Sequence, residues 1–190
     1  MVERLLARLP RLRVSVSVTT RTARPGEVDG VSYHFVDRAT FEFRARSGGF
    51  LETKEYNGNL YGTPRAAIES LLGDGFDVIA KPEVNGALAI KAAYAQAVLI
   101  FLLPDKFSHL ESRLSARSTE TTDEIAARLA IAQDELSHIH AFEYAVINHH
   151  APDGPGERLS AVDDIEAIVR AERLRITHYR DSDFKDITNS

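Results

Sequence analysis

Two short apolar runs, FDVIA (76–80) and AVLIFLL (97–103), lie between stretches of helical periodicity, and this alternation restricts the fold more than anything else in the chain. Runs of this kind are what strands covered on both faces of a parallel sheet show. Strands that alternate with helices predict an α/β domain. At 190 residues, 44% hydrophobic and 27% charged, the chain is long enough for one domain with its own core.

The remaining elements follow from local signals. Residues 2–9 predict a short helix stopped by Pro10, and LRVSVSV (12–18) alternates as one strand should. Short strands are expected at 32–36, 50–56 and 59–62, with a helix over 38–46 capped by Asp37. Thr63 is expected to cap a helix that has Pro64 at its first position and ends at Gly73. A helix at 106–116 precedes RSTETTDEIAARLAIAQDEL, where Thr121 and Glu124 suggest a capping box and Ile125, Leu129, Ala132 and Leu136 recur at helical spacing. EYAVIN (143–148) reads as a last strand. Leu159, Val162, Ile165 and Val169 mark a closing helix before a polar tail.

Composition excludes several classes. With no cysteine there is neither disulfide nor thiolate metal site, which suits a reducing, cytoplasmic setting. No apolar run reaches signal-peptide or membrane-span length, so no membrane partner is expected. A net charge of −5 argues against general nucleic-acid binding. The cations are 18 Arg against 5 Lys, and arginine suits bidentate grips on phosphate.

Two clusters carry chemistry. SVTTRTARPGEVDGVSYHF sets Ser17, Arg21, Arg24 and Tyr33 around one Pro-Gly turn, where guanidinium forks and hydroxyls could surround a phosphate. GFLETKEYNGNLYGTPR places Glu52 on one strand and Tyr61 and Thr63 beyond an Asn57-Gly58 turn. A carboxylate there could accept the N1 and N2 hydrogens of guanine, which adenine lacks. Taken alone, the first cluster fits a solvated turn equally well and Glu52 fits an exposed strand carboxylate better.

Together, S-x-T-T-R-x-x-R-P-G-E-x-x-G-x-x-Y-x-F followed by F-L-E and G-N-x-Y-G-T resembles the GMP-binding pattern of guanylate kinases, and the resemblance runs from residue 2 to about 171. It implies a P-loop nucleoside monophosphate kinase fold: three α/β/α layers on a parallel central sheet, a small mixed β GMP-binding subdomain at about 32–75, and a helical lid at about 113–130. Residues 172–190 would be a tail. It implies an ATP-dependent enzyme of purine metabolism making GDP from GMP, with Mg2+ accompanying ATP and no metal site of its own. By resemblance, Ser17, Arg21, Arg24, Tyr33 and Tyr61 hold the GMP phosphate, and Glu52 with Thr63 reads the guanine. Arg113, Arg117 and Arg128 would close over the triphosphate, and Asn148 would touch the adenine side.

The chain departs from the family in two places. No glycine is followed by lysine, so G-x-x-x-x-G-K-[ST], the loop that cradles the donor phosphates, is absent together with the strand before it. A start assigned too late is the favoured reading over a genuine loss, because losing a central strand exposes sheet edges. As it stands the chain is expected to bind ATP poorly. In KPEVNGA (81–87), Glu83 keeps a carboxylate for guanine or magnesium where the family has one, whereas Lys81 replaces an acid. The rival function is a guanylate-kinase-like binding module that recognises GMP or a phosphopeptide without turnover.

Overall fold

A computed structural model describes residues 1–106, 122–149 and 160–176. The order is α1 (Val2–Arg8), β1 (Leu12–Val14), β2 (Val18–Thr19), β3 (His34–Phe35), α2 (Arg38–Arg46), β4 (Phe50–Tyr56), β5 (Asn59–Pro64) and α3 (Arg65–Gly73). Then come β6 (Asp77–Ile79), α4 (Val84–Ala93), β7 (Ile100–Pro104), α5 (Thr122–Ser137), a 3-10 turn (Ile139–Ala141), β8 (Tyr144–Asn148) and α6 (Ala161–Glu172).

The layered α/β architecture is visible in two neighbouring residues of β6. Successive strand side chains point to opposite faces. Ile79 packs against the cluster of Leu5 of α1, Leu9, Leu12, Val146 and the α6 residues Val162 and Ile165, whereas Val78 packs against that of Leu51, Ile68 of α3 and Ile90 of α4. Both faces of the strand are therefore covered by helices, which is why its sequence is almost wholly apolar. The central strands are parallel, as expected, but form two pairs: β1 with β6, from Leu12 opposite Asp77 to Val14 opposite Ile79, and β7 with β8, from Ile100 opposite Tyr144 to Pro104 opposite Asn148. Side chains of all four strands meet in the core beneath α1 and α6.

A second, mixed sheet runs β3-β2-β5-β4. Its own core is Val18, Phe41 and Phe50, with the two phenyl rings stacked at 4.5 Å between centroids. Gly62 of β5 lies under them: a Cβ there would come 2.9 Å from Phe50 Cδ1 and 3.1 Å from Phe41 Cζ, so the ring stack excludes any side chain. Asn57 and Gly58 close the β4–β5 hairpin with φ of 47° and 71°, the two left-handed residues that a tight two-residue hairpin demands.

Several local expectations are corrected. The segment 12–18 is not one strand: β1 stays with β6, and Val18 and Thr19 join the mixed sheet opposite Gly62 and Tyr61. The alternation of serine and valine suits either sheet, so it does not reveal where the chain changes partners. Thr63 does not cap α3. It lies within β5, and its hydroxyl is engaged by Glu52, so Pro64 occupies the cap position without a side-chain bond and the helix begins at Arg65. Gly73 is the last helical residue, and the left-handed turn comes at Gly75, φ 80°. Asp37 does cap α2, accepting the Thr40 amide at 2.7 Å.

At the other end of the chain Ser160 and Asp163 form a capping box at the start of α6, and Arg8 of α1 pairs with Asp163 at 2.5 Å. Arg173, just beyond α6, donates from Nε to Asp77 Oδ2 at 2.7 Å. The expected helix at 106–116, apart from Lys106, and the first half of the expected lid, 113–121 with Thr121, lie outside the described residues, as does the tail from 177. Among the described residues no helix is long and apolar enough to cross a membrane.

Candidate functional site

Glu52 and Thr63 stand directly opposite each other on β4 and β5. Thr63, only 2% exposed, donates its hydroxyl to Glu52 Oε1 at 2.5 Å, which fixes the carboxylate's rotamer. The N-terminal turn of α4 approaches from the other side. A Cβ on Gly86 would sit 3.0 Å from Glu52 Oε2 and 2.9 Å from Pro82 Cβ, so glycine is what lets helix and carboxylate come together. Glu83, the residue before α4, is ion-paired with Lys54 on β4. Lys54 is two residues from Glu52 and so on the same face of the strand. Nothing in the sequence pattern gives a task to Gly86 or Lys54.

The phosphate-type cluster is built around Arg21. Its Nη2 donates to both oxygens of Glu27, at 2.8 and 2.9 Å, and its Nη1 to the Thr22 carbonyl at 2.7 Å. Glu27 in turn accepts the Arg24 amide at 2.7 Å. The hydrogen bond to Glu27, and secondarily the Tyr61 hydroxyl, hold the Arg21 guanidinium above its ordinary pKa; the same pairing lowers the Glu27 carboxyl. The guanidinium carbon lies 5.5 Å from the Tyr33 ring centre and 5.9 Å from that of Phe35. Tyr33 and Tyr61 meet edge to face at 6.0 Å.

Arg21, Tyr33 and Tyr61 are thus one assembly, with Arg24 exposed on the adjoining turn. Glu27 belongs to the R-P-G-E string, yet sequence alone gives it no role, because a charge six residues away in a turn produces no periodic signal. Ser17 lies on the strand side of the same region, its carbonyl accepting the His34 amide at 2.9 Å. Ser17 and Tyr33 border a cleft of about 220 Å³, together with Ser15, Ser32 and Lys81.

The residues expected to act on the donor are placed less fully. Arg113 and Arg117 lie outside the described residues; Arg128 is on α5, with its side chain outside them. Asn148 ends β8 opposite Pro104, at the far end of the other parallel pair. Among the described residues no group of three or more His, Asp or Glu side chains could hold a metal ion.

The chemistry this arrangement suits is recognition of a small phosphorylated molecule with two neighbouring N–H donors: cationic forks and phenols on one side, a fixed carboxylate on the other. Comparison with known proteins points the same way. A family model described as Guanylate kinase matches residues 1–154. A guanylate kinase of Thermus thermophilus is 50% identical over 165 residues, 87% of this chain and 72% of that protein. One of Methylobacillus flagellatus is 39% identical over 175 residues, 92% of this chain and 83% of that protein. The crystal structure of guanylate kinase from Anaplasma phagocytophilum superposes with a TM-score of 0.71 at 31% identity, covering 92% of this chain and 80% of that one.

Proposed function

The chain belongs to the guanylate kinase family, enzymes that transfer a phosphoryl group from ATP to GMP, and from that premise we propose how its residues divide the work. Glu52 reads the base, accepting from guanine N1 and N2 while Thr63 holds its other oxygen. Glu83 stands at the same wall as a second carboxylate, tied to Lys54. Arg21 and Arg24 carry the acceptor phosphate with hydroxyls from Ser17, Tyr33 and Tyr61. The observation that carries this reading is the Thr63-to-Glu52 bond beneath Gly86, since a carboxylate fixed in that way discriminates guanine from adenine before any substrate arrives.

Transfer of the γ-phosphoryl requires positioning and positive charge more than covalent help. Arg113, Arg117 and Arg128 are the candidates for that charge, and Asn148 for the adenine side. Mg2+ would accompany ATP and supply positive charge to the phosphoryl group in transit. The setting is the cytoplasm, where GMP and ATP meet. These 190 residues contain no G-x-x-x-x-G-K-[ST], the pattern of a loop that cradles donor phosphates.

Calorimetric titration of GMP, AMP and guanosine tests the assignment. GMP is expected to bind more tightly than AMP, and Arg24→Ala to weaken GMP far more than guanosine. Equal affinities for GMP and AMP would remove the base-reading role of Glu52, and equal losses for GMP and guanosine would remove the phosphate clamp.

A further inference from the structure

Along β4, Thr53 and Glu55 are exposed whereas Glu52, Lys54 and Tyr56 are half-buried, so Lys54 lies on the face that carries the base-reading carboxylate. Its ammonium is ion-paired with Glu83 and stands 5.6 Å from the centre of the Tyr56 ring. Glu83 is the N-cap of α4, a position where a side-chain oxygen normally accepts a helix amide, yet its carboxylate makes no such bond. The pair with Lys54 draws it across to β4 instead. An N-cap residue and the third helical residue share one turn, and that third residue is Gly86, whose Cβ position is 3.0 Å from Glu52 Oε2. Ion pairs as exposed as this one contribute little to stability, so what Lys54 does lies in where it puts Glu83.

We propose that Lys54 is a positioning residue for guanine selectivity: it turns Glu83 toward the base edge, where that carboxylate accepts a hydrogen of the 2-amino group. The inference rests on the base-reading role given to Glu52 above. Glu52 Oε1 already accepts from Thr63, which leaves Oε2 as the freer oxygen for guanine N1–H and the nearer 2-amino hydrogen. The other 2-amino hydrogen needs a second acceptor beside the first, because a donor left unpaired in a desolvated site weakens binding. Lys54 engages Oε2 of Glu83 and leaves Oε1 for that hydrogen. The ammonium also offsets the charge of two carboxylates set on one wall, which would otherwise repel each other.

The test is calorimetric titration of the full 190-residue chain with GMP, with inosine monophosphate, which lacks the 2-amino group, and with AMP. Lys54→Ala is expected to weaken GMP about five- to tenfold, the scale of one charge-assisted hydrogen bond, and inosine monophosphate less than about twofold. Lys54→Arg should restore most of the GMP affinity, since a guanidinium can hold the same carboxylate. In Glu83→Gln the ion pair is already gone, so adding Lys54→Ala should change GMP binding by less than about twofold.

Equal losses for GMP and inosine monophosphate in Lys54→Ala would make Lys54 a support of the strand and overturn the proposal. So would no loss for either, no recovery with Lys54→Arg, or losses from Lys54→Ala and Glu83→Gln that add in full. If the unaltered chain binds GMP no more tightly than AMP, the base-reading role of Glu52 falls and this inference with it. A normal preference over AMP with a Lys54-independent GMP affinity would bring down the inference alone.

Discussion

Glu27 holds Arg21 through both of its carboxylate oxygens, at 2.8 and 2.9 Å, so the guanidinium that faces Tyr33 is oriented before any phosphate reaches it. Removing that grip frees the arginine to turn toward solvent. Glu27→Gln is expected to weaken GMP binding by about three- to tenfold, the scale of one charge-assisted bond, while leaving guanosine binding unchanged. Unchanged or tighter GMP binding would show that Glu27 competes with the phosphate rather than preparing for it.

Thr63→Val keeps the volume of a buried strand residue and deletes its hydroxyl. Glu52 then loses the bond that fixes its rotamer. GMP affinity is expected to fall by about tenfold or more, as for loss of a hydrogen bond to a charged group. The preference over AMP should shrink with it, because AMP never used the carboxylate. A uniform loss for both nucleotides would mean that the hydroxyl supports the strand and not the reading of the base.

Gly86→Ala introduces a methyl 3.0 Å from Glu52 Oε2 and 2.9 Å from Pro82 Cβ. Overpacking of this kind costs on the order of 1–3 kcal/mol when neighbours cannot yield. The expected outcome is a lower unfolding temperature and weaker GMP binding. Shortening the carboxylate in the double variant Gly86→Ala, Glu52→Asp should recover part of the stability that the single variant loses. No recovery would locate the clash at Pro82 alone.

Asp163 ties the capping box of α6 to Arg8 of α1, and the bonds from Ser160 and then Arg8 hold its carboxyl well below the ordinary carboxylate range. A depressed folded-state pKa contributes stability that is fully present above the unfolded value, about 3.9 for Asp, and drains away as pH falls from there through the folded value. The unaltered chain should therefore be more stable than Asp163→Asn by a constant margin from about pH 7 to about pH 5, and the margin should close progressively below that. Ser160→Ala should cost about 1 kcal/mol at neutral pH. Urea midpoints across this range measure both effects.

Much of this is legible in the residues. The apolar runs mark β6 and β7, and Asn57-Gly58 marks the hairpin that brings Tyr61 and Thr63 back along Glu52, because tight turns leave a composition that few other structures need. Spacing sets Arg21 and Tyr33 around one turn, whereas Tyr61 joins them only through the resemblance to the family pattern. Contacts set by tertiary approach are not legible. Thr63 has the right chemistry for a helix cap and is used instead by a carboxylate on the next strand; Gly86 has an ordinary helical place and matters only because Glu52 approaches it. The break at Ser15–Ser17 is hidden because both sheets accept the same alternation.

That break has a thermodynamic consequence. Residues 15–17 join a strand of the core beneath α1 and α6 to a strand of the core around Phe41 and Phe50. The two cores are not independent, because Leu51 of β4 packs with Ile68 of α3 and Ile90 of α4. Under the proposed site, a substitution between the cores that never touches a ligand at Ser17 is expected to change how tightly that ligand binds, by reciprocal coupling.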